Sequence, residues 1–236
     1  MCKEGTLGII GGMGPLASAE FLRTIYEHCL GEREQESPVV MLYSDPTFPD
    51  RTEEFLADSY DILLGCLTEA LYRLYKLGVS RIVICCITLH HLLPRLPQDA
   101  RETIISLLDV IFETVLQDRR KNLLLCTNGT RKMRLFQNHD RWREAEEYIV
   151  LPDKQDQQLV HTIIYQSIKR NGNVCELVPA VESLLLRYQV DAFIAGCTDI
   201  HLLAKLSDFC QDGSGNFGVI DPLTVIAQRI AEGSIW

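Results

Sequence analysis

Two cysteines, Cys86 and Cys197, carry the chemistry that this sequence makes most plausible. Each follows a short apolar run, Cys197 directly before a threonine and Cys86 separated from one by a single residue, and each leads into a Leu-rich stretch. The segment Ile84-Cys-Cys-Ile-Thr-Leu-His-His-Leu-Leu93 lies over Ile194-Ala-Gly-Cys-Thr-Asp-Ile-His-Leu-Leu203 without a gap, matching Ile, Thr, His and two leucines. An unperturbed thiol has a pKa of about 8.5, and a thiolate at a helix N-terminus is favoured by the helix dipole. Two such groups facing each other suit one narrow task. One removes a proton from a carbon while the other delivers a proton to the opposite face. The remaining cysteines, Cys2, Cys29, Cys66, Cys85, Cys126, Cys175 and Cys210, are expected to pack as small hydrophobes. Adjacent Cys85 and Cys86 must point to opposite faces if both continue a strand.

Positioning these thiols requires strand ends, and the apolar pattern supplies them. Thr6–Ile10, Val39–Tyr43, Ile82–Cys85, Leu123–Leu125 and Ala192–Ile194 read as buried strands, with amphipathic stretches such as Ser59–Leu77 between them. The alternation predicts parallel sheets covered by helices, which bind ligands at the carboxyl ends of their strands. The openings Ile9-Ile-Gly-Gly-Met-Gly14 and Leu124-Leu-Cys-Thr-Asn-Gly-Thr130 also correspond, so the fold expected is α/β: two pseudo-symmetric Rossmann-like, flavodoxin-like domains with a cleft between them. The charged segment Arg119-Arg-Lys121 marks the division. Residues 1–117 with 214–236 form the expected N-terminal domain and residues 118–213 the C-terminal one.

Other residues near the strand ends offer binding rather than proton transfer. Gly11-Gly-Met-Gly-Pro15 presents backbone N–H groups that suit a carboxylate as well as a phosphate. Its spacing is not the dinucleotide fingerprint, and a nucleotide-binding reading leaves the paired cysteines unexplained. Thr127 and Thr130 flank Asn128-Gly129 and offer hydroxyls from the second half. Arg51, after Ser44-Asp-Pro-Thr-Phe-Pro-Asp50, has the geometry to clamp a carboxylate, yet from its loop alone it reads as a surface arginine. Lys169, in the helical stretch Thr162–Arg170, reads by itself as a solvated lysine.

Composition removes several other classes. A net charge of −9 opposes binding to a phosphate backbone, and the one basic cluster, Arg131, Lys132 and Arg134, reads as a solvated face. Apolar runs such as Leu7–Ile10 and Ile82–Cys86 are far too short to span a bilayer, and no charged-then-apolar leader opens the sequence. Nine irregularly spaced cysteines look unlike a secreted disulfide framework, so a reducing cytoplasm is expected. No Cys-x-x-Cys or His-x-x-x-His spacing is present, and no metal site is expected, although His90, His91 and His201 fall near the two cysteines in sequence.

Taken together, these motifs resemble the PLP-independent aspartate/glutamate racemase family, most closely its aspartate-racemase branch. The resemblance runs through Gly8-Ile-Ile-Gly-Gly-Met-Gly-Pro15, Ser44-Asp-Pro to Pro49-Asp-Arg51, Cys86-x-Thr-x-His90, Thr127-x-Gly-Thr130, Ile164-Tyr to Lys169, and Gly196-Cys-Thr-Asp199. It implies a homodimer, a thiolate–thiol pair needing neither PLP nor any other cofactor, and an acidic amino-acid substrate. Carried over by position, Cys86 and Cys197 become the acid/base pair, with Asp199 and His90 in support. Arg51 and Lys169 would hold a side-chain carboxylate, and Met13, Gly14, Thr88, Thr127, Thr130 and Thr198 would surround the rest of the substrate. Racemisation of aspartate is the expected function.

Two departures bear on that expectation. The family's Cys-Asn-Thr-Ala-His is here Cys86-Ile-Thr-Leu-His90, so a polar side chain is replaced by Ile87. The family's Gly-Cys-Thr-Glu is here Gly196-Cys-Thr-Asp199, one methylene shorter. The alternatives are a maleate-isomerase-like or hydantoin-racemase-like enzyme on the same scaffold, or a ligand-binding homologue that has lost turnover.

Overall fold

The computed structural model describes residues 5–207 and 217–236. The first half runs β1 (Thr6–Gly11), α1 (Pro15–His28), β2 (Val39–Ser44), α2 (Arg51–Leu56), α3 (Asp61–Lys76), β3 (Arg81–Ile84), α4 (Gln98–Thr103), β4 (Ile104–Ile105) and α5 (Leu107–Asp118). The second runs β5 (Asn122–Leu125), α6 (Asn128–Lys132), α7 (Trp142–Ala145), β6 (Ile149–Val150), α8 (Lys154–Thr162), α9 (Val178–Tyr188), β7 (Ala192–Ala195), α10 (His201–Ser207), β8 (Gly218–Ile220) and α11 (Pro222–Glu232).

The strands form two four-stranded parallel sheets in the orders β2-β1-β3-β4 and β6-β5-β7-β8. Numbering the strands within each half gives the same order twice, 2-1-3-4, so the internal correspondence read from the sequence is a true structural repeat. In each sheet the first and third strands are adjacent, and the chain leaves them in opposite directions. That is the switch point at which open α/β sheets leave a crevice beyond the strand ends.

Alternation along the strands divides the core into three layers. Leu7, Ile9, Val83 and Cys85 of the first sheet share one core with Leu124 and Ile194 of the second, filled between by Phe21, Ile111, Phe112, Leu223 and Ile226. Ile82, Ile84 and Cys86 face a second core with Leu63, Leu67 and Leu74 of α3. Phe193, Ala195 and Cys197 face a third with Val181 and Leu184 of α9. Cys85 and Cys86 therefore do point to opposite faces, and the two candidate catalytic cysteines occupy equivalent faces of their sheets.

The end of the chain divides its allegiance, which corrects the expectation of a single returning block. β8 pairs with β7 and completes the second sheet, whereas α11 packs on α1 and α5 of the first half. Asp221 makes the turn between them, its carboxylate accepting from the N–H groups of Leu223 and Thr224 at the start of α11. The expected boundary at 213/214 falls outside the described residues, as do Cys2 and Cys210. No described helix is long and apolar enough to cross a membrane.

Candidate active site

The loops after β1, β3, β5 and β7 converge, and each contributes from a turn that its sequence dictates. After β1, Gly12 has φ +93°, and a Cβ there would collide with the backbone of Asp45. Only glycine lets the two loops approach this closely. Gly14 has an ordinary φ of −101°, but a Cβ on it would collide with Oδ1 of Asp199. The Gly-rich loop of the first half is thus in contact with the Asp199 loop of the second.

Cys86 and Cys197 cap the short 3₁₀ helices Ile87–Arg95 and Thr198–Ile200, with extended backbone in both cases. Their residues are only 5% and 8% exposed, which leaves each thiol at the edge of a nearly closed interior. Arg51, expected from its loop to be a surface arginine, is instead buried beneath the Gly-rich loop. Its Nη2 donates to Met13 O at 2.6 Å and its Nη1 to Pro49 O at 3.0 Å. Burial opposes its charge, but the neighbouring Cys86, Asp50 and Tyr165 outweigh that cost and raise its pKa. A fixed cation therefore stands against the Cys86 sulfur.

The surroundings of Cys197 are different. Its Sγ donates to Oδ2 of Asp199 at 3.5 Å, and the same oxygen lies 3.5 Å from Nζ of Lys169. Burial, followed by the Asp199 charge, pushes the Cys197 thiol well up, so the stabilised thiolate expected from a helix dipole is not what this environment favours. Burial likewise raises the Asp199 carboxyl, with Lys169 opposing. The two thiols are thus electrostatically unequal, with arginine beside one and a carboxylate beside the other.

Lys169 reaches this position because its helix is irregular. After α8 the chain passes through a π-helical turn, Ile163–Ser167, then a 3₁₀ turn, Ile168–Arg170, ending at Asn171 with φ +57°. The change of period turns the Lys169 side chain inward, leaving it 17% exposed rather than solvated. Its Nζ also lies 4.7 Å from the centroid of the Tyr165 ring.

The threonines close the junction between halves. Thr88 and Thr130 hydroxyls are 3.0 Å apart, Thr127 and Thr130 hydroxyls 3.2 Å apart, and Thr127 also accepts from the Thr130 N–H as the cap of α6. Thr198 crosses in the other direction, donating to Cys85 O at 3.1 Å. Cys86, Cys197, Met13, Gly14, Arg51, Thr88, Thr127, Thr130, Lys169, Thr198 and Asp199 accordingly gather around one junction.

His90 does not act as an acid or base here. Its Nε2 accepts from the N–H of Leu107 at 3.0 Å, which leaves Nδ1 to donate to Cys86 O at 3.1 Å. Burial lowers its pKa to about 4. Both ring nitrogens are committed to backbone, so His90 fixes the Cys86 loop as a neutral imidazole. Ile87 is also turned away, buried in the central core rather than toward the threonines. His91 packs edge-on against Phe55 and Tyr60, and His201 bonds Asp221 and Thr24. Cys85 and Cys126 are buried as expected, but Cys175 is exposed. Among the described residues, no group of three or more His, Cys, Asp or Glu side chains is arranged to hold a metal.

Tyr165, which the sequence named only as part of the Ile164-Tyr to Lys169 motif and gave no role, also belongs to the site. Its hydroxyl lies 3.0 Å from both Asp50 carboxylate oxygens and 2.9 Å from the Thr52 hydroxyl. Asp50 in turn caps α2, accepting from the N–H groups of Thr52 and Glu53. Tyr165 thus ties the Lys169 segment of one half to the Arg51 segment of the other.

A family model described as Asp/Glu/Hydantoin racemase matches residues 10–230. The chain belongs to this family. Among solved structures it is similar to the aspartate racemase of Picrophilus torridus, at 24% identity and a TM-score of 0.79, over 97% of this chain and 94% of that one. A putative Asp/Glu racemase from Yersinia pestis shares 22% identity with a TM-score of 0.73, over 98% and 100% of the two chains. A glutamate racemase from Francisella tularensis, solved with D-glutamate, shares 15% identity with a TM-score of 0.60, over 98% and 80%. Family membership makes this protein an isomerase of the racemase class. The structural likenesses confirm its two-domain fold.

Proposed function

We propose that the protein interconverts L- and D-aspartate without PLP, by proton transfer at the α-carbon between Cys86 and Cys197. The observation that carries this reading is the unequal pairing of two nearly buried cysteines, one against Arg51 and the other against Asp199 and Lys169. A two-base racemisation needs one sulfur as base and the other as acid in each direction. The arginine at Cys86 is a counter-ion for negative charge on that sulfur. Cys197 keeps its proton until a base takes it, and Asp199 is within reach to do so.

In one direction the basic sulfur takes the α-proton, and the electron pair left on carbon is delocalised toward the α-carboxylate. The opposite thiol then gives its proton to the other face, which returns the sulfurs to exchanged protonation states. The α-proton is weakly acidic, so charge developing on the carboxylate must meet donors already in place. The Thr88, Thr130 and Thr127 hydroxyls and the backbone around Met13 and Gly14 are assigned to that task. Arg51 and Lys169 come from opposite halves and favour a substrate with a second carboxylate. The aspartate racemase among the structural neighbours supports the same substrate.

Incubation with L-aspartate in D2O, without added PLP, should give α-deuterated L- and D-aspartate. Racemisation should disappear in both Cys86→Ser and Cys197→Ser. Absence of exchange with aspartate, glutamate or other amino acids would remove the racemase reading, and a covalent adduct on one thiol would favour an isomerase with a cysteine nucleophile.

A further inference from the structure

A groove of about 700 Å³ opens between α6 and the start of α8. Four cations line it, Arg131, Lys132, Arg134 and Lys154, in a chain whose net charge is −9. Among the described residues none of the four forms an ion pair; Arg131 donates to Pro152 O and Lys132 to Leu56 O, both neutral carbonyls. The one carboxylate on the groove wall, Asp153, is engaged as the cap of α8, accepting from the Asp156 N–H at 2.9 Å. Four cations against one carboxylate leave the groove with a net positive potential, which a compact polyanion would satisfy.

The rest of the lining limits the ligand class further. Of the four amide side chains in the lining, Asn128, Gln157 and Gln158 are bonded to one another, Gln157 Nε2 to Asn128 Oδ1 and Asn128 Nδ2 to Gln158 Oε1. That leaves Gln137 and the Gln158 Nε2 to face a ligand, and no aromatic side chain lines the groove for a base to stack upon. The volume is that of a small-molecule site rather than a macromolecular surface. Neither cysteine, nor Arg51, nor Lys169, lines the groove. We propose that this groove is a second binding site, for a small metabolite carrying two or more phosphate charges on a hydroxyl-bearing body. Gln137 and the Gln158 Nε2 address the hydroxyls, and the guanidinium groups of Arg131 and Arg134 address phosphate oxygens in pairs.

Isothermal titration calorimetry with inorganic pyrophosphate and with fructose 1,6-bisphosphate tests this without any need for turnover. Both should bind, more weakly as salt rises from about 50 to about 200 mM. The double variant Arg134→Asn/Lys154→Gln should lose about tenfold or more in affinity. Asn suits the left-handed backbone of Arg134, whose φ is +50°, and Lys154 is exposed at the first turn of α8, so folding is preserved. The distant surface variant Lys121→Gln should bind as wild type does. The proposal is overturned if neither phosphate binds at millimolar concentration, if the double variant binds unchanged, or if L-aspartate displaces the phosphate competitively, since that would make the groove part of the substrate site. These outcomes are independent of whether the protein racemises aspartate.

Discussion

Gly14→Ala isolates one contact of the proposed mechanism. Gly14 has φ −101° and ψ 139°, a conformation alanine adopts freely, so the substitution introduces no backbone strain. Its effect is steric and falls on one atom, because the added methyl collides with Oδ1 of Asp199. That carboxylate is 2% exposed and cannot swing into solvent without leaving its 3.5 Å contacts to the Cys197 sulfur and to Lys169. Overpacking at such a site costs about 1–3 kcal/mol, which urea titration reads as a lower midpoint with an unchanged slope. If Asp199 takes the Cys197 proton, displacing it should slow racemisation by about 10²- to 10⁴-fold, the range general-base catalysis contributes. Circular dichroism of aspartate solutions follows the rate directly. The double variant Gly14→Ala/Asp199→Ala relieves the collision and should recover much of the stability while remaining slow. A Gly14→Ala protein racemising within about twofold of wild type would refute the role given to Asp199.

Two further substitutions test the other supports of the site. His90 has its pKa lowered by burial from 6.5 to about 4, so folding favours the neutral ring; the stability this confers is present above about pH 6.5 and is lost as pH falls toward 4. The difference corresponds to about 3 kcal/mol, and His90→Gln, less stable at pH 8 through its lost backbone bonds, should show a flatter decline on urea titration between pH 6.5 and 4. An unchanged slope would mean that another group titrates there. Arg51→Lys keeps the charge but cannot reach both Met13 O and Pro49 O while lying against Cys86, so initial-rate kinetics should show a raised KM and a kcat lower by about tenfold or more. Wild-type kinetics would show that charge alone suffices there.

Much of this protein was legible in its sequence because local pattern determined it. Short continuous apolar runs located the five principal strands to within one or two residues, and the gap-free match around Cys86 and Cys197 announced the repeat. The two-residue strands β4 and β6 left no such signal, since so short a run has no period to detect. Cys86, Cys197 and the glycines after β1 could be named because their chemistry is a property of residue type and of position after a strand. Arg51 and Lys169, read without the family resemblance, looked like ordinary surface cations.

Tertiary structure decided what each side chain meets. Burial of Arg51 depends on the Gly-rich loop lying over it, and the inward turn of Lys169 depends on a π-helical turn that no composition encodes. The two cysteines look equivalent in sequence and differ in space, because the neighbours that set their charge, Arg51 for one and Asp199 with Lys169 for the other, are brought up by different loops. His90 shows the same physics in reverse: its position in the motif invited a catalytic role, and the backbone N–H of Leu107 removed it. Residue type and period are local properties and can be read along a chain. Desolvation and the partner at hydrogen-bond distance are set by segments remote in sequence, and they exist only once the two halves have closed on each other.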